Sequence, residues 1–207
     1  PMTYQDVVTY VWLGQALLAL FPYNVDSDIR SLVRSGNVAY ELVRPLHLYA
    51  HWFSRAIAMR TAPAILRAIP MFIIAGFFFG MQPPPSWASG FAWILTTMGA
   101  LLLACSITNL MNISLFWTVS GEGASTVMNA AAWLFSGMYV PLVFFPDWSM
   151  PILNALPFRG LIDVPFRFYL GHLPTDQLWA LFAHQLIWAA GLIALGNLIL
   201  SRGIRRL

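Results

Sequence analysis

The side chains that could transfer protons are few in this sequence, and they are scattered. The 207 residues include eight acids and four histidines. His184 is the only histidine inside an apolar stretch, where a lone imidazole is interpreted as a helix-packing hydrogen-bond partner rather than a proton relay. Proton-driven transport usually needs acids or histidines at membrane depth. The acids instead fall at the ends of apolar stretches or in loops: Asp6, Asp26, Asp28, Glu41, Glu122, Asp147, Asp163 and Asp176.

Motifs for nucleotide binding and hydrolysis are absent from the sequence. It contains no Gly-x-x-x-x-Gly-Lys loop, no His-Glu-x-x-His and no Gly-x-Ser-x-Gly. The single Cys105 excludes an internal disulfide and a cysteine-based zinc cluster, and we interpret it as a small buried residue. We therefore assign no catalytic, cofactor-binding or metal-binding residue. If the chain moves a substrate, another subunit is expected to supply the energy.

The composition is that of a membrane protein. The chain is 59% hydrophobic and 9% charged, whereas soluble domains carry about 25% charged residues. A soluble protein this apolar would expose large hydrophobic patches and aggregate. All eleven cations are arginines, and they form no single run or face, so we interpret them as topology signals and expect no nucleic-acid partner.

Five apolar segments approach the length of about 20 residues that a spanning helix needs. The sequence thus predicts an all-α polytopic membrane protein with one transmembrane domain over 1–207. Because the chain opens on Pro1, we expect that a preceding first span is missing. In order, the predicted parts are a span at 3–21, a cytoplasmic region at 26–44, an amphipathic lead-in at 45–64, spans at 65–81, 87–117 and 124–145, a proline-broken external segment at 146–177, a span at 178–201 and a tail at 202–207.

Local signals place several helix ends. Thr3 and Asp6 have capping-box spacing, one of the residues 26–28 can cap the next helix, and Gly36 can end it in a left-handed conformation. In the external segment, prolines leave room for two short helices, at 150–156 and 161–170. These are expected to dip into the outer leaflet and return.

The arginines predict the orientation. Nine of the eleven fall on the side of the 22–64 region and the carboxyl terminus, and only Arg159 and Arg167 fall on the other. Positive charge marks the cytoplasmic side. The polar stretch "DSDIRSLVRSGNVAYELVRPL", residues 26–46, is therefore expected in the cytoplasm and the proline-broken segment outside.

The polar stretch has two interpretations. Ile29, Leu32 and Val33 share one helix face, and Arg30 and Arg34 share another. The helix could lie on the inner leaflet with its arginines against lipid headgroups, or it could dock on a cytoplasmic partner.

A second group of residues, in the later spans, could form contacts between helices or line a translocation path: Asn109, Asn112, Asn129, Trp133 and Tyr139.

Two stretches carry a family resemblance. "SGNVAYELVRPL" (35–46) and "GMYVPLVFFPDWSMPILNALPFRGLIDVPFRFYLG" (137–171) resemble the run after the coupling helix and the exit of the fifth span in ABC type-2 exporter permeases. They are closest to the branch that has two different permeases and one ATPase. That family has six spans, a cytoplasmic coupling helix between the second and third, and two short external helices between the fifth and sixth.

The resemblance implies a permease subunit driven by a cytoplasmic ABC ATPase that holds the ATP and Mg²⁺. It also implies a second permease, non-identical as in a heterodimer or else identical, surrounding lipids, and a bacterial inner membrane with the carboxyl terminus in the cytoplasm. Ile29, Leu32 and Val33 would fill a groove on the ATPase, and Arg30 and Arg34 would meet its acidic rims. The implied coupling residues are Asp28, Ile29, Arg30, Leu32, Val33, Arg34, Gly36 and Arg44.

Three other functions stay open at this point. A membrane-embedded enzyme acting on lipid would need a polar catalytic group in a span, for which His184 with Asn197 is a poor pair. A non-transporting anchor for a cytoplasmic partner would need no polar path. A vitamin-uptake coupling subunit lacks the external helix pair. The absence of buried charge in the spans favours a hydrophobic or amphipathic cargo.

Overall fold

The computed structural model describes residues 2–22, 25–43, 46–118 and 122–204, and the regular structure in these ranges is entirely helical. Short 3₁₀ turns link or precede several of the helices, at Leu18–Leu20, Leu142–Phe144, Asp147–Ser149, Phe158–Leu161 and Thr175–Gln177. The α-helices are α1 Tyr4–Ala16, α2 Ser27–Arg34, α3 Val38–Val43, α4 Leu48–Phe78, α5 Trp87–Ser114, α6 Glu122–Phe135, α7 Met150–Ala155, α8 Asp163–Tyr169 and α9 Leu178–Ile204.

Within the described ranges, three helices are long and apolar enough to cross a membrane: Leu48–Phe78, Trp87–Ser114 and Thr175–Ile204, which is α9 with its preceding turn. The all-helical prediction is confirmed, but five spans are not. Helix α1 has 13 residues and α6 has 14, which is less than the roughly 20 that one straight spanning helix requires.

The segment predicted as a span at 124–145 is not one helix. Helix α6 ends at Phe135, and Gly137 then adopts a left-handed backbone with φ of 90°. Pro141 precedes a 3₁₀ turn. A left-handed residue followed by a proline ends the α-helix, so the apolar run continues through an irregular turn.

The lead-in at 45–64 and the span at 65–81 are one structural unit rather than two. They form the 31-residue helix α4, with Pro63 and Pro70 inside it. Each proline removes one backbone hydrogen bond, but the helix continues past both. At 1.5 Å per residue α4 is about 46 Å long, more than the hydrocarbon core of a bilayer.

The predicted helix ends are confirmed where they rest on local contacts. The Thr3 backbone N–H donates to the Asp6 carboxylate at 2.8 Å, and the Asp6 N–H donates to the Thr3 hydroxyl at 3.2 Å. Asp26 caps α2 by accepting from two backbone N–H groups. Gly36 has a φ of 75°, the left-handed conformation expected after α2.

Helix α5 lies at the centre of the packing. Half of the residues in its 18-residue apolar stretch are buried, against 17% in the corresponding stretches of α4 and of α9 with its preceding turn. It packs against α4, α8 and α9. Close approach depends on Gly99 of α5, which faces the Gln185 side chain, and on Gly196 of α9, which faces Tyr49 and Ile113. Small residues at helix contacts are the usual device in membrane domains.

The helices define two ends of the bundle. At one end α2, the start of α4, and the carboxyl ends of α5 and α9 meet. Asp26 there contacts Asn112, and Gly203 lies against Trp117. We call this the arginine-rich end, because Arg30, Arg34, Arg55 and Arg202 lie on its helices. At the opposite end the Tyr10 hydroxyl donates to the Gly137 carbonyl at 2.7 Å.

The two short helices predicted in the proline-broken segment are present as α7 and α8 at the opposite end. The first residue of α8, Asp163, is 1% exposed and pairs with Arg159 at 3.1 Å and Arg167 at 3.7 Å. Its backbone N–H donates to the Ser136 carbonyl at 3.0 Å. The helix pair is therefore fixed to the irregular turn that ends α6.

We expect Gly196→Ala to lower the stability of the bundle by about 1–3 kcal/mol, the usual cost of overpacking. The new methyl group would lie 2.8 Å from a ring carbon of the buried Tyr49. Thermal unfolding of the purified protein measures the change.

Gly191→Ala on the same helix is the matched control. A Cβ there would meet no other part of the described chain within 4 Å, so the variant should be as stable as the wild type or slightly more stable, since alanine favours helix. Equal stability of the two variants would contradict the close packing of α9 against Tyr49 of α4 and Ile113 of α5.

Candidate coupling site at the arginine-rich end

Helix α2 is seated on the bundle by its apolar face. Ile29 is 2% exposed and belongs to the main hydrophobic core, and Val33 packs partly buried against the same core. Leu32 is half-buried. The expectation that Ile29 fills a groove on a partner is therefore wrong for this arrangement, because the protein's own core surrounds that side chain. Ile29 anchors α2 instead.

Asp26 connects α2 to two long helices. Its carboxylate accepts a hydrogen bond from the Arg55 Nε of α4 at 2.7 Å, and its backbone N–H donates to the Asn112 Oδ1 of α5 at 2.9 Å. Arg55 also bonds the Asp28 carboxylate. The Asp26 side chain is 7% exposed and that of Asp28 is 68% exposed, so the Asp26 pair is the better shielded from water.

The charge state of Asp26 follows from these contacts. Burial alone would raise the pKa of its carboxyl group. The hydrogen bond from Arg55, together with those from the backbone N–H groups of Asp28 and Ile29, outweighs burial and holds the pKa below its ordinary value. Asp26 is therefore a carboxylate at neutral pH, as both the cap and the ion pair require.

A third contact reaches α6. The Arg30 NH1 lies 3.8 Å from the Glu122 carboxylate, at the start of that helix. The Arg30 side chain is 27% exposed and that of Glu122 is 67% exposed, so the pair is solvated and contributes little stability. Its position still matters, because it links α2 to the first turn of α6.

Helix α3 is attached separately. The Trp52 indole N–H of α4 donates to the Glu41 carboxylate at 3.0 Å, and Val38 is 1% exposed. Trp52 is itself fully buried and stacks on Phe116 with ring centroids 6.0 Å apart. The predicted cytoplasmic region thus folds as two short helices, each tied to the amino-terminal half of α4.

The outward surface of α2 is polar, with Leu32 as its partly exposed apolar residue. We define the α2 surface as the residues that face away from the core along the helix and its end: Ser27, Asp28, Ser31, Leu32, Arg34, Ser35 and Gly36. Arg44, the last residue of the predicted coupling set, lies outside the residues that the structure describes.

The residues predicted to line a path or glue helices do not form one site. Asn109 and Asn112 are buried on α5; the Asn109 amide donates to the Tyr49 carbonyl at 3.4 Å, and Asn112 holds α2. Asn129 is half-buried on α6. Trp133 stacks on the exposed Tyr139 with centroids 4.9 Å apart, next to the irregular turn after α6.

The pair His184 and Asn197 is not brought together either. Both lie on α9, about 20 Å apart along its axis at 1.5 Å per residue. The Trp188 indole N–H points to His184 at 3.2 Å, and the Asn197 amide donates to the Ile193 carbonyl of its own helix at 2.9 Å. Both contacts lie within α9 itself, so the packing role predicted for His184 stays a prediction.

Sequence reasoning placed Arg55, Glu41 and Arg60 on this side of the membrane but gave none of them a contact at the site. Asp26 was recognised only as one of three possible caps. The signal in the sequence for this ion pair was two acids at the start of α2, Asp26 and Asp28, and an arginine, Arg55, in the later helix α4. A pairing across 29 residues becomes visible only once the turn of the chain between α2 and α4 is known.

The model of a family described as ABC-2 family transporter protein matches residues 2–207, nearly the whole chain. No curated protein and no solved structure matches this chain.

We expect Asp26→Asn to destabilise the seating of α2 by about 1–2 kcal/mol. Asparagine still caps the helix but gives up the charged pair with Arg55. Asp28→Asn is the control, because that carboxylate is exposed and its pair should contribute less than about 1 kcal/mol. Hydrogen exchange of the α2 amides measures both, and faster exchange in Asp28→Asn than in Asp26→Asn would contradict the assignment.

The stabilisation from Asp26 should depend on pH in one direction. Since the folded-state pKa lies below the unfolded value, the carboxylate stabilises the folded state at pH values above the ordinary aspartate pKa of about 3.9. The contribution disappears as the pH falls through the folded-state pKa. The stability gap between wild type and Asp26→Asn should therefore be constant from pH 7 to pH 5 and narrow below about pH 4. A gap that widens in acid would show that the carboxylate is not the stabilising group.

Proposed function

This chain belongs to the ABC-2 family of transporter proteins, and on that premise we propose that α2 receives the movement of a separate ATPase and passes it to the membrane helices. Family membership and the long apolar helices make the chain a multi-pass membrane subunit with a permease role. The family is one of transporter membrane subunits that work with an ABC ATPase, rather than of enzymes.

The junction at Asp26 and Arg30 is the observation that carries the proposal. Asp26 bonds α4 and α5, Arg30 lies beside the first turn of α6, and Ile29 is embedded in the core. Two long helices and the start of a third are thus reached from one helix of eight residues. A helix attached only to the lipid surface would not need these contacts. A push on α2 moves packed helices as rigid bodies.

The proposed contact with the ATPase is the α2 surface rather than the buried face. Leu32 would supply the apolar contact, with Arg34 beside it at the last turn of α2. The ATPase would contribute acidic groups toward Arg34 and would itself hold ATP and Mg²⁺. Gly36 allows the sharp exit toward α3 that keeps this surface open.

The remaining parts of the proposal follow from the family and the apolar surface. We propose that the subunit pairs with a second permease in a bacterial inner membrane, with the arginine-rich end and the carboxyl terminus in the cytoplasm. ATP-driven closure of the ATPases would switch the permease pair between inward-open and outward-open states. The cargo would be hydrophobic or amphipathic.

We expect Leu32→Asp to abolish ATPase-coupled transport while the protein still inserts into the membrane. The new carboxylate would be desolvated against the ATPase and would also repel its acidic groups. Co-purification of the ATPase in mild detergent should fall by at least about tenfold, as for the loss of a well-packed contact. The expression level should equal that of the wild type. The free energy of unfolding should stay within about 1 kcal/mol of the wild-type value, because Leu32 is only half-buried.

Thr175→Asp is the matched control, since it adds the same charge at an exposed position just before α9, at the opposite end of the bundle. It should leave ATPase binding unchanged. If Leu32→Asp binds the ATPase and transports as the wild type does, α2 is not the coupling element. Loss of binding in both variants would point to a general effect of charge and not to this surface.

A further inference from the structure

Arg60 is a buried cation whose hydrogen bonds all go to neutral groups. It lies on α4 about 18 Å from the start of the helix at 1.5 Å per residue, and only 8% of it is exposed. Its NH1 donates to the Ala56 carbonyl at 3.1 Å, and its NH2 donates to the Thr108 hydroxyl. Its Nε is shielded from solvent and has no hydrogen-bond partner.

No carboxylate of the described residues lies within 4 Å of the Arg60 guanidinium. Asp26 and Asp28, two acids of the arginine-rich end, are both engaged by Arg55. A charge buried without a counter-charge is strongly unfavourable. Such a residue within a membrane helix usually marks a binding or transport site.

Arg60 lines a cleft of about 410 Å³ between the carboxyl-terminal side of α1, the start of α2, and helices α4 and α5. Thr108 and Asn112 form its polar wall on α5. An apolar wall consists of Ala19, Phe21, Val25, Ala56, Met59 and Pro63. Met59 is 52% exposed and Pro63 is also exposed on the same helix, so the apolar wall continues onto the outer surface of α4.

We propose that this cleft binds the anionic head of an amphipathic molecule, with Arg60 as the counter-charge and the apolar chain leaving along Met59 and Pro63. The combination of one buried guanidinium, two neutral polar groups and an apolar exit fits a singly charged head with a chain attached. Basic pockets between membrane helices recognise lipid headgroups in this way. The Asp26 carboxylate also lines the cleft and attracts Arg60 electrostatically, but its side-chain ion pair is with Arg55, so a direct hydrogen-bonded counter-charge for Arg60 is still lacking among the described residues.

The proposal is independent of the ATPase-coupling role, because binding is measured on the purified protein without nucleotide. The full-length protein in a nonionic detergent is titrated with short-chain phosphatidylglycerol, with phosphatidylcholine of the same chain length, and with inorganic phosphate. Native mass spectrometry counts bound molecules and gives relative affinities. Phosphatidylglycerol should bind about tenfold more tightly than phosphatidylcholine, the size expected for one charge-assisted hydrogen bond.

Arg60→Gln should remove this preference, and Arg60→Lys should keep most of it. Arg67→Gln is the matched control, since Arg67 lies on the same helix, is absent from the cleft and donates to the Gln15 side chain at 3.2 Å. Met59→Trp tests the site without changing Arg60: the larger side chain fills the apolar exit from an exposed position and should weaken phosphatidylglycerol binding. It keeps the test valid if Arg60→Gln does not fold.

Two results would overturn the proposal. The first is an unchanged lipid preference in both Arg60→Gln and Met59→Trp, which would place the anion elsewhere. The second is displacement of phosphatidylglycerol by an equal concentration of inorganic phosphate, which would show that the cleft takes a free anion and that the apolar exit has no role. Failure of phosphate to compete, with loss of lipid binding in the variants, supports the amphiphile.

Discussion

Polar groups in an apolar interior have to find their partners within the protein, and among the described helices α5 carries more of those groups than any other. Thr96, Ser106, Thr108, Asn109 and Asn112 are all buried along it. The hydrogen-bond partners that other helices provide for these groups determine which helices pack beside α5. The Gln185 amide of α9 donates to the Thr96 carbonyl at 2.9 Å and to the Gly160 carbonyl at 2.7 Å. Arg60 brings α4 to Thr108, and Asn112 receives the first residue of the α2 region, Asp26.

The same requirement connects the proposed coupling element to the proposed binding cleft. Asp26 and Ser27 are at once the start of α2 and part of the cleft lining. The Asn112 side chain accepts a hydrogen bond from the Asp26 backbone N–H and also lines the cleft. A displacement of α2 by a partner would therefore alter the wall that faces Arg60 before it alters the distant end of the bundle. The hydrogen bonds at Asp26 and Asn112 would then couple the conformation of the ATPase to the shape of the cleft around the head of a bound amphiphile.

Sequence reasoning succeeded where the signal is local. The Thr3–Asp6 capping box, the Asp26 cap, the left-handed Gly36 and the two short helices α7 and α8 all depend on residues within one or two helical turns. It failed where tertiary packing decides. Ile29 lies on the apolar face of α2, as the spacing predicted, but only the fold shows that this face meets the protein's own core. The apolar run from 124 to 145 has the composition of a span, but Gly137 and Pro141 end the helix and turn the chain before the run is complete. The Asp26–Arg55 pair required knowledge of where α4 begins.

The position of Gln185 also has a consequence for biogenesis. A ribosome adds about 5–20 residues per second to the chain, so α5 is synthesised several seconds before α9. During that interval the Gly160 carbonyl and the closely packed Gly99 surface of α5 lack the side chain that covers them in the finished bundle. Individual helices can be stable in the bilayer before they associate. The packing between α5 and α9 can thus form only after α9 has been synthesised.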